Sequence, residues 1–233
     1  MIVYNGIDIQ SVAPVRIEDI KVSAIKYNPV VRPYAVRFGA EWVRMGGGER
    51  TITLTFAMLE QNMTQRHESL LALSAWAKTD AEYKIELPTD TGRYLVGVCT
   101  QKPEPSTRAW WENKLRYVFT CYANPYWTAN ELKSVVCGTQ FYVGGDAPPL
   151  MQIIRTVSSS AATNQSYSDG TNTMTFTTIP VGDMVIDLNA QTAAVNGSSI
   201  MQYYQSAGAF IVPHLGTQTI AGTGTVKYRE RWE

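Results

Sequence analysis

The chain is short of cysteine, histidine, charge and long apolar runs, and each shortage excludes something. Its 233 residues hold three cysteines, Cys99, Cys121 and Cys137, and two histidines, His67 and His214. An odd cysteine count in a chain this long does not make a disulfide framework, so a reducing site of synthesis is expected. No CxxC pair occurs and no cysteine lies near a histidine in sequence, so the spacing that preorganises zinc is missing. Neither a metal nor a cofactor is expected. Charged residues make up 17%, with Lys+Arg and Asp+Glu at 20 each. A dedicated nucleic-acid binder needs an excess of cations, which a net charge of zero does not supply. No run approaches the roughly 18 apolar residues of a membrane span, so no membrane partner is expected. The opening MIVYNGIDIQ lacks a basic stretch followed by an apolar core, so no secretory signal is expected and the chain is read as folding in a cytoplasm.

What is present favours strands. Apolar residues reach 45%, enough for a core, and Thr, Val, Tyr, Ile and Trp are frequent. Arg50 to Phe56 is the clearest segment. Ile52, Leu54 and Phe56 alternate with threonines, the period of a half-buried strand. Ile17 to Tyr27 reads as a strand before it. Between them, Asn28 to Glu49 holds Pro29, Pro33 and Gly46-Gly47-Gly48, and must contain loop. One helix is expected over Gln65 to Lys78, capped by Asn62 or Thr64, with Leu70, Leu73 and Ala77 on one face beside Trp76. Strands follow at Tyr83 to Leu87, Tyr94 to Thr100 and Trp111 to Cys121, before Asn124-Pro125 closes a first unit.

The remainder changes composition and is rich in Thr, Ser, Gly, Ala and Asn. Short strands are expected at Leu150 to Val157, Thr171 to Thr178, Met184 to Leu188, Thr192 to Val195, Phe210 to Val212, Thr217 to Ile220 and Thr225 to Tyr228. Asn196-Gly197 is a strong two-residue hairpin signal, since both residues tolerate positive φ. Ser158 to Gly170 reads as an exposed loop. Closely spaced short strands of this kind make a β-sandwich. The expected organisation is a domain over 1–130, a linker over 131–148 ending at Pro148-Pro149, and a second domain over 149–233.

Motifs for chemistry are sparse. Gly46-Gly47-Gly48 precedes a strand, whereas a phosphate loop follows one and opens a helix, so a flexible loop tip is expected there. Glu104, Glu112, Asp183 and Asp187 could pair for glycoside hydrolysis, but no spacing joins them. Cys99 and Cys121 fall in strands and read as small buried apolar residues. No GxSxG elbow or HExxH occurs, and no catalytic residue is assigned. Trp110-Trp111 cannot put both rings on one face of a strand, so one faces outward or into a partner. Arg32, Tyr34, Arg37, Trp42 and Arg44 combine arginine with aromatics, the chemistry of a protein interface, and are assigned to an oligomer contact.

The order of segments resembles the distal tail protein (Dit) family of long-tailed phages. The resemblance rests on Arg50 to Phe56, the helix with Arg66, Leu70 and Trp76, then Trp111, and the close at Tyr122-Ala123-Asn124-Pro125-Tyr126. In the second half it rests on Val185-Ile186-Asp187, Val195-Asn196-Gly197, Phe210-Ile211-Val212-Pro213, Gly216 to Ile220, and Val226 to Trp232. The resemblance implies a mainly β chain, with a tail-tube-like β-sandwich bearing one helix and then a galectin-like β-sandwich. It implies a non-enzymatic hub in the virion, at the tail tip, made and assembled in the host cytoplasm. Six copies form a ring through the first domain, and DNA passes its channel without specific binding. The partners implied are the tail-tube protein, the tail-associated fibre or lysin protein, and receptor-binding or baseplate proteins. The chain is too short for inserted carbohydrate-binding modules, and Trp232 is the only tryptophan of the second domain, so sugar binding is not carried over. The competing readings are a cell-surface carbohydrate-binding module and another tail-tube or baseplate component.

Overall fold

The computed structural model describes residues 1–27, 29–33, 40–44, 48–60, 62–103, 114–205 and 209–233, with 29–33 and 40–44 described through their backbone only. The chain forms two units, Met1–Trp127 with Glu233, and Thr128–Trp232.

The first unit contains β1 (Val3–Tyr4), β2 (Ile7–Asp8), α1 (Ile9–Val12), β3 (Val15–Val22), β4 (Pro29–Pro33), β5 (Ala40–Arg44), β6 (Arg50–Met58), α2 (Met63–Trp76), β7 (Tyr83–Glu86), β8 (Arg93–Gln101) and β9 (Lys114–Cys121). Strand β10 (Trp127–Ala129) crosses the unit boundary. Alternation does for β6 what the sequence implies. Ile52, Leu54 and Phe56 are fully buried, while the intervening threonines are half-exposed. Strand β6 lies between β3 and β9, antiparallel to both, and β9 continues to β8. The first half of β8 pairs with β7, β7 with β1, and β1 with β2. Strand β8 therefore belongs to two sheets, and the core lies against both.

Helix α2 covers that core. Asn62 accepts from the Thr64 amide at 2.9 Å, which caps the first turn. Leu70, Leu73, Trp76 and Ala77 are buried on one stripe, as their spacing requires. Helix α1 was not expected. Asp8 caps its four residues by accepting from the Gln10 amide, and it is too short to show a period. The 28–49 stretch, expected to contain loop, also holds two strands. Strands β4 and β5 pair there as an antiparallel ribbon, with Pro29 opposite Arg44 and Pro33 opposite Ala40. A two-stranded ribbon has two outer edges that need no donors, so proline is tolerated in it.

The second unit contains β11 (Lys133–Val136), β12 (Gln140–Val143), β13 (Ala147–Val157), β14 (Ala162–Ser168), β15 (Thr173–Ile179), β16 (Gly182–Asp187), β17 (Thr192–Val195), β18 (Ser198–Ser199), a 3-10 turn at Met201–Tyr203, β19 (Gly216–Thr219) and β20 (Thr225–Trp232). One antiparallel sheet runs β18-β17-β16-β13-β20-β11. The other layer is built of the pairs β12-β19 and β14-β15, joined through paired amides of Ser168 and Ala221. Ile153, Ile186, Phe176, Ile211, Ile220 and Val226 are fully buried between the layers.

Three expectations for this half are corrected. Residues 131–148 are not a linker, because they hold β11, β12 and the start of β13. Pro148 and Pro149 sit at a bulge, where Ala147 pairs with Arg231 and Leu150 with Arg229, so one extra residue is looped out of the ladder. Ser158 to Gly170 contains β14, whose polar face is exposed while Tyr167 is buried. Phe210 to Val212 is no strand, although Ile211 is buried and Phe210 packs on Tyr204.

Glu230 closes the outer end of this sheet. Its carboxylate accepts from Lys133 Nζ at 2.8 Å and from the Gly144 amide at 2.9 Å. Burial raises its pKa, but the two hydrogen bonds outweigh that and hold it below the ordinary 4.5.

Two stability outcomes follow from this packing. Asn62→Ala removes one cap and should cost about 1 kcal/mol, while Leu73→Ala opens a fully buried site and should cost about 3 kcal/mol, both read by urea unfolding. Glu230→Gln should cost about 1–2 kcal/mol at neutral pH. A lowered folded pKa means this contribution is complete above 4.5 and is lost as pH falls through the folded value. The gap between variant and wild type should therefore shrink below pH 4.5, which unfolding midpoints measured across the acid range will show.

Candidate functional site

Three of the five residues assigned to an oligomer contact lie on one ribbon. Arg32 lies on β4, and Trp42 and Arg44 lie on β5. In the register, Val31 faces Trp42, Arg32 faces Glu41 and Pro29 faces Arg44. Trp42 and Arg44 thus share one phase of the ribbon, and Arg32 has the other. Tyr34 and Arg37 lie outside the described residues, as do Gly46, Gly47, Glu104, Trp110, Trp111 and Glu112.

In the chain the ribbon lies between the two strands of an antiparallel stem. Strands β3 and β6 pair from Val15–Met58 to Val22–Ile52, and the pairing continues as Ser23 donates to Thr51 and Lys26 exchanges both amide bonds with Glu49. The Lys26 ammonium also lies 3.8 Å from the Glu49 carboxylate. Gly48 is buried at this base. A Cβ there would lie 2.5 Å from Ile25 Cγ2 and 2.7 Å from the Lys26 carbonyl oxygen, so the close strand approach needs glycine. Gly48 is therefore a packing residue of the stem and not the flexible tip expected for the glycine triplet.

Beside the stem, an open hollow of about 380 Å³ is lined by Val22, Ile25, Tyr27, Arg50, Trp127 and Glu233. The Tyr27 hydroxyl donates to the Glu233 carboxylate at 2.9 Å. Burial, with that bond, pushes the phenol pKa up. The phenol stays protonated at neutral pH, so it serves as a donor and not as a base.

The outer face of the second unit's larger sheet is the other accessible platform. Paired residues share a face, so the register lays out rows across it. One row is Ser134, Lys227, Gln152, Asp187 and Thr192, and the next is Val136, Thr225, Ile154, Val185 and Ala194. Neither row contains an aromatic ring, and stacking on sugar faces needs one. The hollow on this face, about 450 Å³, is lined by Ile154, Arg155, Thr156, Thr225 and Lys227 among others. Tyr142 is 68% exposed, but it lies on β12 in the opposite layer.

Two of the acids considered for catalysis, Asp183 and Asp187, take part in structural hydrogen bonds. Asp183 accepts from the Thr156 hydroxyl. Asp187 accepts from Gln152 and from the amides of Asn189 and Ala190, closing the turn after β16. Cys99 and Cys121 are buried thiols, and burial pushes the Cys121 pKa up to about 12. His67 lies on α2 in the first unit and His214 precedes β19 in the second. Among the described residues no group of three or more His, Cys, Asp or Glu could hold a metal ion. No described helix is long and apolar enough to cross a membrane.

No protein-family model and no curated protein matches the chain. Solved structures do. The chain is similar to the Dit protein of phage SPP1, described as a paradigm of the hub adsorption apparatus in phages infecting Gram-positive hosts. The identity is 15% and the TM-score 0.74, covering 100% of this chain and 98% of that one. It is also similar to a chain of the phage P2 baseplate in its activated, calcium-bound conformation. There the identity is 8% and the TM-score 0.50, covering 96% and 92%. Both neighbours are structural components of phage tails. Over its whole length, the chain has the fold of the SPP1 Dit protein.

Proposed function

We propose that the protein is a distal tail protein, the structural hub of a phage tail tip. In this reading six copies close a ring through the first unit, and the ring continues the DNA channel of the tail tube. The tail-tube protein binds one side and the fibre or lysin protein the other. The second unit offers an outer surface for receptor-binding or baseplate proteins. The observation that carries the reading is the end-to-end likeness to SPP1 Dit, in which neither chain has a substantial part left over.

Physical features of this chain support it. A closed ring uses one heterologous pair of surfaces on every subunit. A ribbon rising from the β3–β6 stem suits one half of such a pair, and it carries Arg32, Trp42 and Arg44 in a segment that also holds Tyr34 and Arg37. A zero net charge suits a channel through which DNA slides, since dense phosphate contacts would hold it. The absence of an aromatic ring on the outer sheet rows of the second unit favours protein partners over direct sugar binding.

The native mass of the purified protein tests this. A discrete species of six subunits with a central hole by electron microscopy is expected. Joint replacement Arg37→Ala and Trp42→Ala should reduce it to smaller species at low micromolar concentration without changing the unfolding midpoint. An unchanged mass would remove those residues from the contact. A monomer that binds a glycan array would favour the carbohydrate-binding reading, and turnover of cell-wall polysaccharide would overturn the hub reading.

A further inference from the structure

The chain carries two Asn-Gly pairs, Asn5-Gly6 and Asn196-Gly197. Both form two-residue turns with positive φ at each position, 51° and 75° at the first, 48° and 80° at the second. The first joins β1 to β2, with Tyr4 opposite Ile7. The second joins β17 to β18, with Val195 opposite Ser198. The two backbones are alike, and the two side chains are not.

Asn196 is clamped. Its Oδ1 accepts from the Asp183 amide at 2.9 Å, and its own amide donates to the Asp183 carbonyl at 2.9 Å. Its carboxamide also lies flat against Gly182, where a Cβ would come within 2.8 Å of Asn196 Cγ. Asn5 has one anchor, its main-chain amide on the Lys84 carbonyl at 3.1 Å. The Asn5 side chain has no hydrogen bond to the described residues, while at both turns nothing lies within 4 Å of where a Cβ on the glycine would be.

We propose that Asn5 is a site of spontaneous deamidation in the folded protein and that the Asp183 clamp protects Asn196. Asparagine is among the thermolabile residues, and a following glycine leaves the attacking amide unshielded. The Gly6 main-chain nitrogen loses its proton to solvent and forms a bond to Asn5 Cγ. The Cγ–Nδ2 bond breaks and ammonia leaves, giving a five-membered succinimide. Water then opens the ring at either carbonyl, to aspartate or to isoaspartate. Reaching the ring geometry requires the carboxamide to rotate over the following amide. Asn5 can do so without breaking a side-chain bond, whereas Asn196 must first release Asp183 and leave Gly182. Isoaspartate inserts one main-chain carbon into a turn flanked by the fully buried Tyr4 and by the Ile7 carbonyl that holds the Trp76 indole.

The test uses the full-length protein incubated in heavy-oxygen water at mildly alkaline pH and body temperature, with peptide mass spectrometry at intervals. Incorporated label counts each hydrolysis, and electron-transfer fragmentation separates aspartate from isoaspartate. In the folded protein the Asn5 peptide should convert about tenfold faster than the Asn196 peptide, because local opening sets the rate at the clamped site. In concentrated urea the two should convert at comparable rates, since both have glycine next in sequence. Equal folded rates, a faster Asn196, or an inert Asn5 over a period in which the denatured chain converts would each overturn the proposal.

Discussion

The first unit depends on what surrounds the ring of Tyr4. Its centroid lies 4.9 Å from Phe119, 5.6 Å from Trp76 and 5.6 Å from Tyr83, all edge-on. Edge-on contact lets the positive rim of one ring meet the negative face of another. Two polar atoms then fix the cluster. The Tyr4 hydroxyl donates to the Lys78 carbonyl just past the end of α2, and the Trp76 indole donates to the Ile7 carbonyl. Burial pushes the Tyr4 phenol well above its usual range, so it keeps its proton and remains a donor. A strand at the start of the chain, the last turn of the helix, and strands β7 and β9 are thereby held at one point. Helix α2 could not seal the core with the same geometry if that point were lost.

Close backbone approach is the second constraint. Strand β8 leaves β7 for β9 near Gly97, where a Cβ would sit 2.9 Å from Cys121 Sγ and 3.0 Å from the Thr120 carbonyl oxygen. The ladder shifts register just beyond, between Cys99 and Gln101. Sharing one strand between two sheets needs that tight crossing and that bulge. In the second unit β20 plays the joining part. It lies between β13 and β11, and the proline bulge of β13 falls opposite Arg229–Arg231, beyond the residues that pair with β11. Gly144 contributes to the same end, since a Cβ there would come within 3.1 Å of the Glu230 carboxylate that holds Lys133.

These constraints bear on the hub reading through the β4–β5 ribbon. A surface for self-assembly must be presented at a set angle, or the rotation between subunits does not close. The ribbon's base is the β3–β6 ladder, one of whose faces is the fully buried row Ile52, Leu54 and Phe56. Strand β6 thus carries core residues and lies next after the ribbon in the chain. Asp183 and Asp187, two of the acids considered for catalysis, are committed to turns and cross-strand bonds.

Periodicity alone was enough for β6, β17 and α2. Each buries a regular stripe, and a stripe is visible wherever one face is apolar and the other polar. The Asn196-Gly197 turn was legible because positive φ restricts the residues allowed. The resemblance to distal tail proteins likewise needed only segment order, and the fold agrees with it. Strands β11, β12 and β14 were not legible. Strands β11 and β12 have four residues each, and β14 buries only Tyr167, so a polar strand and a polar loop look alike until a partner strand is in place. Prolines misled twice, at the ribbon and at the β13 bulge, because whether a missing donor matters depends on what lies beside it. Local pattern decides which residues can form a strand. Only the assembled sheets decide which edges are free, which glycine must yield to a neighbour, and which asparagine is held still.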